Sequence, residues 1–376
     1  AEGRLTIRDG MTKIISLTDG HSDWAGATCH LVMDGTILKR VVGNVATAIQ
    51  DFGGVKAPMY YAEVGDLVYF SSKRQNGIFD PATDTVSDWG IPTPEGPVLS
   101  AGAGNLPAGT YHVCFTTISG LEMSGNGPVS AITLSSEGGI VIGNRPGSGI
   151  VWCTETDGHV FFKAGAVDVV VQIASVEPLP SLFCSPPPFL QYITHAFGVM
   201  WGAWGNKIYH SEALHPEWWR MGAARFEFAT DVTMIARGKT GMFFGCVDRT
   251  HAFMGTHPAK MEQRDVGSGA VPGTLVYCNN LIELGDTISP PEKKHESVPV
   301  WLSRDGFVAG NPAGRLFSLS QGKVRFAPGE EGASLYRLHN GAFQLLTSFK
   351  QGDDEDSIGM SDETTITVMR NGKVVN

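Results

Sequence analysis

The chain runs to 376 residues, 18% of them charged and 42% hydrophobic, with 47 glycines and a formal net charge of −10. That apolar share excludes global disorder, and glycine at about 12% against a usual ~7% argues against a helical protein, since each interior glycine costs a helix about 1 kcal/mol. No run approaches the ~18 apolar residues of a membrane span, and an acidic chain whose basic groups are at longest pairs such as Lys39-Arg40 is a poor grip for nucleic-acid phosphates.

The first 25 residues lack a basic start followed by an apolar stretch, so no signal peptide is expected; Ala1 fits loss of an initiator Met. Residues 4–14 (RLTIRDGMTKI) read as strand, turn, strand. TILKRVVGNVATAIQDF (36–52) comes nearest to a helical stripe, but Gly43 and its β-branched residues favour two strands. MYYAEV (59–64) and LVYFSS (67–72) follow, joined by Gly65-Asp66. VMWGAW (199–204), KIYHSE (207–212), MFFGCV (242–247), PVWLS (299–303) and TTITVM (364–369) are of the same kind. The punctuation is Asp-Gly or Asn-Gly, a strong hairpin signal, at Asp34-Gly35, Asn76-Gly77, Asn126-Gly127, Asp157-Gly158, Asp305-Gly306 and elsewhere. Strand–turn–strand pieces recurring every 40–50 residues, outside one interruption, suit β-propeller blades; a sandwich or barrel is the alternative. Pairing of 4–14 with 364–375 in one blade would remove open sheet edges.

The interruption is residues 98–185. Leu106-Pro107-Ala108-Gly109-Thr110-Tyr111 opens a strand whose Tyr111, Val113 and Phe115 face one core, and about seven short strands in about 90 residues match a fibronectin-type sandwich. IPTPEGP (91–97) and Ser185-Pro186-Pro187-Pro188 are its joints. The expected fold is therefore all-β: a β-propeller of residues 1–97 and 186–376, with a fibronectin/immunoglobulin-like β-sandwich, 98–185, inserted.

Chemistry is sparse. No P-loop, G-x-S-x-G, H-E-x-x-H or EF-hand loop occurs. His210/His215 and His251/His257 would meet only through tertiary folding, so neither a metal nor a cofactor is expected. Glu212, Asp231 and Asp248 lie near strand ends, and two of them 5–9 Å apart would make a glycosidase pair; turn and rim roles are the expectation. Ser303-Arg304-Asp305-Gly306 matches the sialidase Asp box only in part. The acidic run QGDDEDS (351–357) reads as a solvated loop rather than a Ca²⁺ site. Trp201, Trp204, Trp218 and Trp219 suit a core or an interface better than a sugar platform. Six cysteines without a C-x-x-C read as free, mostly buried thiols of a protein made in a reducing cytosol.

Residues 205–246 carry a more specific pattern. Ile208, Tyr209, Ser211 and Glu212 are followed by Pro216, Glu217 and Trp218, then Phe226 and Phe228, then MIARGKTGMFFG. Glu122-Met123-Ser124-Gly125, Pro186-Pro187-Pro188 and Trp301-Leu302-Ser303 keep the same order. Over about residues 55–350 the chain resembles the propeller-bearing tail nozzle, or packaged-DNA-stabilising, proteins of tailed bacteriophages. Tyr209, Ser211, Glu212, Pro216, Trp218 and Trp301 are the matching positions, structural rather than catalytic. The resemblance implies a non-enzymatic virion tail protein made in the host cytoplasm. It implies a homo-hexameric ring, a portal-adaptor and tail fibre or other tail proteins as partners, and genomic DNA passing a lumen without specific binding. Six copies would sum to a formal charge of about −60, and an acidic lining would repel a duplex within a Debye length of about 8 Å. The alternative is a tail-associated protein that binds or hydrolyses host-surface glycans.

Overall fold

Short β-branched and aromatic runs separated by tight turns satisfy their backbone groups most directly by pairing with the next run along the chain. The computed structural model, which describes residues 17–18, 20–54, 56–223, 225–279, 297–319, 329–339, 342–351, 365–370 and 373–375, shows that pairing throughout. Among the described residues the one helical turn is the 3₁₀ turn Pro258–Lys260, and all else regular is strand. No described helix is long and apolar enough to cross a membrane.

The chain divides into two compact units: residues 1–89 with 188–191, and 90–187 with 192–376. The first unit holds two meanders. Gly20–Ala25, His30–Asp34, Ile37–Val42 and Val45–Asp51 form one, and Tyr60–Val64, Leu67–Ser71, Asn76–Asp80 and Thr85–Ser87 the other, each antiparallel in sequence order. Leu31, Met33, Leu38, Met59, Tyr61, Val68, Phe70 and Phe79 make their core. The 36–52 stretch is two strands as its sequence indicates, turning at Gly43, whose φ of 59° costs a residue without Cβ nothing. Asn76-Gly77, expected to turn, lies inside a strand instead. Gly77 pairs with Phe70, and the tip of that ring sits 2.6 Å from where a Cβ would stand; here the glycine makes room for an aromatic ring.

The second unit contains four more meanders. They are Gln191–Ala196 to His215–Trp219, Val232–Arg237 to Glu262–Ser268, Val276–Asn279 to Leu316–Ser318, and Gly329–His339 to Lys373–Val375. In the first of these, Arg225–Glu227 also pairs with Lys207–Glu212. Four consecutive antiparallel strands, repeated, are the blade unit of a propeller. The fold class is all-β, a β-propeller with an inserted β-sandwich. The last meander is completed by Thr365–Arg370 and Lys373–Val375. Residues 4–14, with which these strands were expected to share a blade, lie outside the described residues, as do 352–357 of the acidic run.

The sandwich opposes a three-stranded sheet (Val98–Leu106, Gly138–Gly143, Val169–Val170) to a larger one centred on Gly109–Ser119 and Gly149–Thr154. Tyr111, Val113 and Phe115 point between them with Leu134, Ile140, Val151 and Cys153. The Tyr111 hydroxyl donates to the Pro107 carbonyl at 2.8 Å, a tyrosine corner that fixes the strand start. The large sheet is covered on its other face too. Cys114, Trp152 and Phe161 pack there with Leu179 of the returning segment, which explains a run of four fully buried residues, Val113 to Thr116. Cys114 and Cys153 sit on neighbouring strands but belong to opposite faces, so their Cβ vectors diverge and no disulfide joins them.

Candidate functional site

The stretch singled out in the sequence forms the joint between the sandwich and the third meander. Strand Lys207–Glu212 turns at residues 213–214 into His215–Trp219. Tyr209 and Ser211 are buried on one face of this strand and Ile208 on the other. The Ser211 hydroxyl accepts from the Met200 N–H at 3.0 Å and donates to the Glu212 carbonyl at 2.9 Å. The Pro216 carbonyl accepts from the Trp219 indole at 2.6 Å. Trp218 donates its indole N–H to the Met123 carbonyl at 2.7 Å, tying the blade to the sandwich hairpin, and the His215 ring lies flat on it, centroids 3.8 Å apart. Trp219 and Ser185 exchange two backbone hydrogen bonds, each 3.0 Å, so the strand that leaves the sandwich is stitched to the same hairpin.

The charges at the joint are mutually occupied. Glu212 pairs with Arg220 at 3.0 Å, and the Arg220 cation acts on the buried Cys184 thiol. Glu217 pairs with the His215 Nδ1 at 3.0 Å. Glu122 has its carboxyl raised above the usual range, first by burial and then by the charge of Glu217. Glu122 and Glu217 both stand in the sequence pattern, but no local spacing links them to each other.

Of the remaining candidate carboxylates, Asp231 and Asp248 both act on the Cys246 thiol. Asp248 accepts a hydrogen bond from the Thr230 hydroxyl in a very short contact, which holds its carboxyl below the ordinary range; a glycosidase acid needs the opposite shift. His210 bonds the Ser211 carbonyl, and His257 caps the 3₁₀ turn by accepting from the Ala259 N–H. No group of three or more His, Cys, Asp or Glu able to hold a metal exists among the described residues. Ser303 to Gly306 is a hairpin turn, the Ser303 hydroxyl accepting from Asp305 N–H and donating to the Gly306 carbonyl. Trp201, Trp219 and Trp301 are fully buried and Trp218 nearly so, whereas Trp204 is 59% exposed.

The cysteines also have a structural character. Cys114, Cys153, Cys246 and Cys278 are buried, and burial pushes each thiol up to about 12; Cys184 is buried and Cys29 alone is part-exposed. Since the thiolate is the reactive form, an aromatic disulfide reagent added to the native protein is expected to find one prompt thiol, at Cys29. Cys29→Ser removes that phase; two or more prompt thiols in the wild type would contradict the buried arrangement.

No protein-family model matches this chain, and no curated protein does. Solved structures that resemble it include the BBS1N chain crystallised with ARL6DN (10% identity, 89% of each chain covered, TM-score 0.37). Others are a protein from Lactobacillus plantarum (13% identity, 78% of this chain and 81% of that one, TM-score 0.33) and Saccharomyces cerevisiae Sqt1 (10% identity, 77% and 81%, TM-score 0.26).

Proposed function

We propose that the chain is a structural, non-catalytic component of a bacteriophage tail, of the nozzle or hub kind, working as part of a conduit that retains and then passes genomic DNA. The observation that carries this reading is what the tail-like residues do. Ser211, Pro216 and Trp218 each serve to fix the sandwich hairpin or the strand beside it, and Glu212 is held by Arg220. Residues that recur for mechanical reasons are expected in a part that bears load, and an indole bonded to a distant carbonyl is such a reason. A homo-hexameric ring, contacts with a portal-adaptor and tail fibre proteins, and residence in the virion tail belong to the same proposal.

Mass photometry and electron microscopy of the purified chain, alone and with tail particles, test it. Annular assemblies, or the chain within particles, are the expected result. A strictly monomeric chain absent from particles overturns the proposal. The glycan-binding alternative rests on Trp204, whose exposed ring at a hairpin turn is suited to stacking on a sugar. Glycan-array binding that Trp204→Ala abolishes would favour that alternative.

A further inference from the structure

The core between the third and fourth meanders is unusually aromatic. Trp201 lies within 6.1 Å of Phe226 and 5.8 Å of Phe244, and Phe226 and Phe228 each reach Phe253. Into this seam strand Arg249–Met254 inserts a histidine. The His251 ring stands 4.9 Å from Phe228 and 6.5 Å from Phe253. Its Nδ1 is buried with no hydrogen-bond partner.

We propose that His251 makes the seam between the third and fourth meanders acid-sensitive: protonation turns its buried Nδ1 into a donor with no acceptor, a cost that the attraction of the cation to the Phe228 ring offsets only in part, and so loosens the Phe226–Phe228 segment. A neutral imidazole tolerates the site because an unbonded acceptor among aromatic rings costs less than an unbonded, charged donor.

The groups around it offset that charge only in part. Asp248 and Arg249, at the start of its own strand, act on it in opposite senses. Strand Gly241–Cys246 presents no charge, its one titratable group, the Cys246 thiol, being pushed up to about 12 by burial. On strand Glu262–Ser268, Gln263 favours the protonated ring, though less than burial opposes it, Glu262 pairs with Arg264, and the Asp265 carboxylate is taken by the Val266 and Leu316 N–H groups. The third meander contributes Phe228.

Burial is the leading cause that lowers the affinity of His251 for a proton, as it is for His210 and His195 of the third meander. The folded seam therefore binds fewer protons than the unfolded chain. Stability is complete above the ordinary histidine value of about 6.5 and falls as pH drops through it.

Hydrogen exchange of the full chain at pH 7.5 and 5.5, corrected for chemical exchange rates, reads this locally. Exchange in peptides covering 225–228 and 249–253 is expected to rise about three- to tenfold at pH 5.5, a tenfold change corresponding to one unit of pKa separation. The tyrosine-corner segment 107–115 should show no such step. His251→Phe, which keeps a ring of similar size without the titrating group, is expected to abolish the step, and His251→Gln serves if the phenylalanine variant does not fold. His210→Gln is expected to retain most of it. The proposal is overturned if the wild type shows no step, or if the step survives at full size in both His251 variants.

Discussion

Replacing Gly125 by alanine is expected to destabilise the second unit by about 3 kcal/mol or more, at or above the upper end of ordinary overpacking. A methyl group at that position would overlap the carbonyl of Cys184. Both partners are backbone, so no rotamer change relieves the collision. The carbonyl cannot retreat either. Ser181, just before it, donates its hydroxyl to the Ser124 carbonyl at 2.8 Å, and Ser185, just after it, is stitched to Trp219. The substitution therefore pushes at once on the sandwich and on its joint with the blade. Thermal or denaturant unfolding checks it, with Gly147→Ala as the control. Gly147 has open space around it, and alanine there should be neutral, or stabilising by up to about 1 kcal/mol through loss of freedom in the unfolded chain. Equal behaviour of the two variants would mean that the segments 124–126 and 181–185 are not held as described.

The second large effect is expected at Trp201. The side chain is fully buried at the centre of the third meander. It contacts His210, Phe226 and Phe244 and donates its indole N–H to the Ala196 carbonyl at 3.3 Å. Truncation to alanine leaves a cavity bounded by large rings that cannot all collapse into it, which places the cost at about 3–5 kcal/mol. Trp201→Phe restores most of the area and should cost markedly less. By contrast Trp204→Ala should shift the melting temperature little, because that ring is largely solvated. If Trp201→Ala proved as mild as Trp204→Ala, the aromatic core of this seam would not carry the stability assigned to it.

The parts of the fold that are local in sequence could be read from it. Period-two alternation alone placed Tyr111, Val113 and Phe115 on one core, and Gly43 divided 36–52 into two strands. What failed was the inference that every Asn-Gly turns. Gly77 yields to Phe70, and Gly127 lies in an irregular segment where a side chain would meet the Pro94 carbonyl. Both glycines answer to a neighbour's bulk, which a dipeptide does not encode. At the joint the relevant partners lie 95 residues apart, as with Trp218 and Met123. Sequence pattern could mark Trp218 as noteworthy without saying what its indole holds, and it could not pair Glu122 with Glu217 at all. The contact of the His251 ring with Phe228, a residue of a different meander, is of the same non-local kind.

Gly90 and Pro186 have a further consequence. The Cβ position of Gly90 stands 3.5 Å from the Cβ of Pro186, so the polypeptide departs for its excursion through the sandwich and comes back to the same spot. Closing such a short gap with a few residues would carry little entropic penalty, because that penalty grows only with the logarithm of loop length. The inserted module is therefore topologically exchangeable. A lineage could trade it for another domain, or lose it, while leaving the order of the surrounding meanders intact.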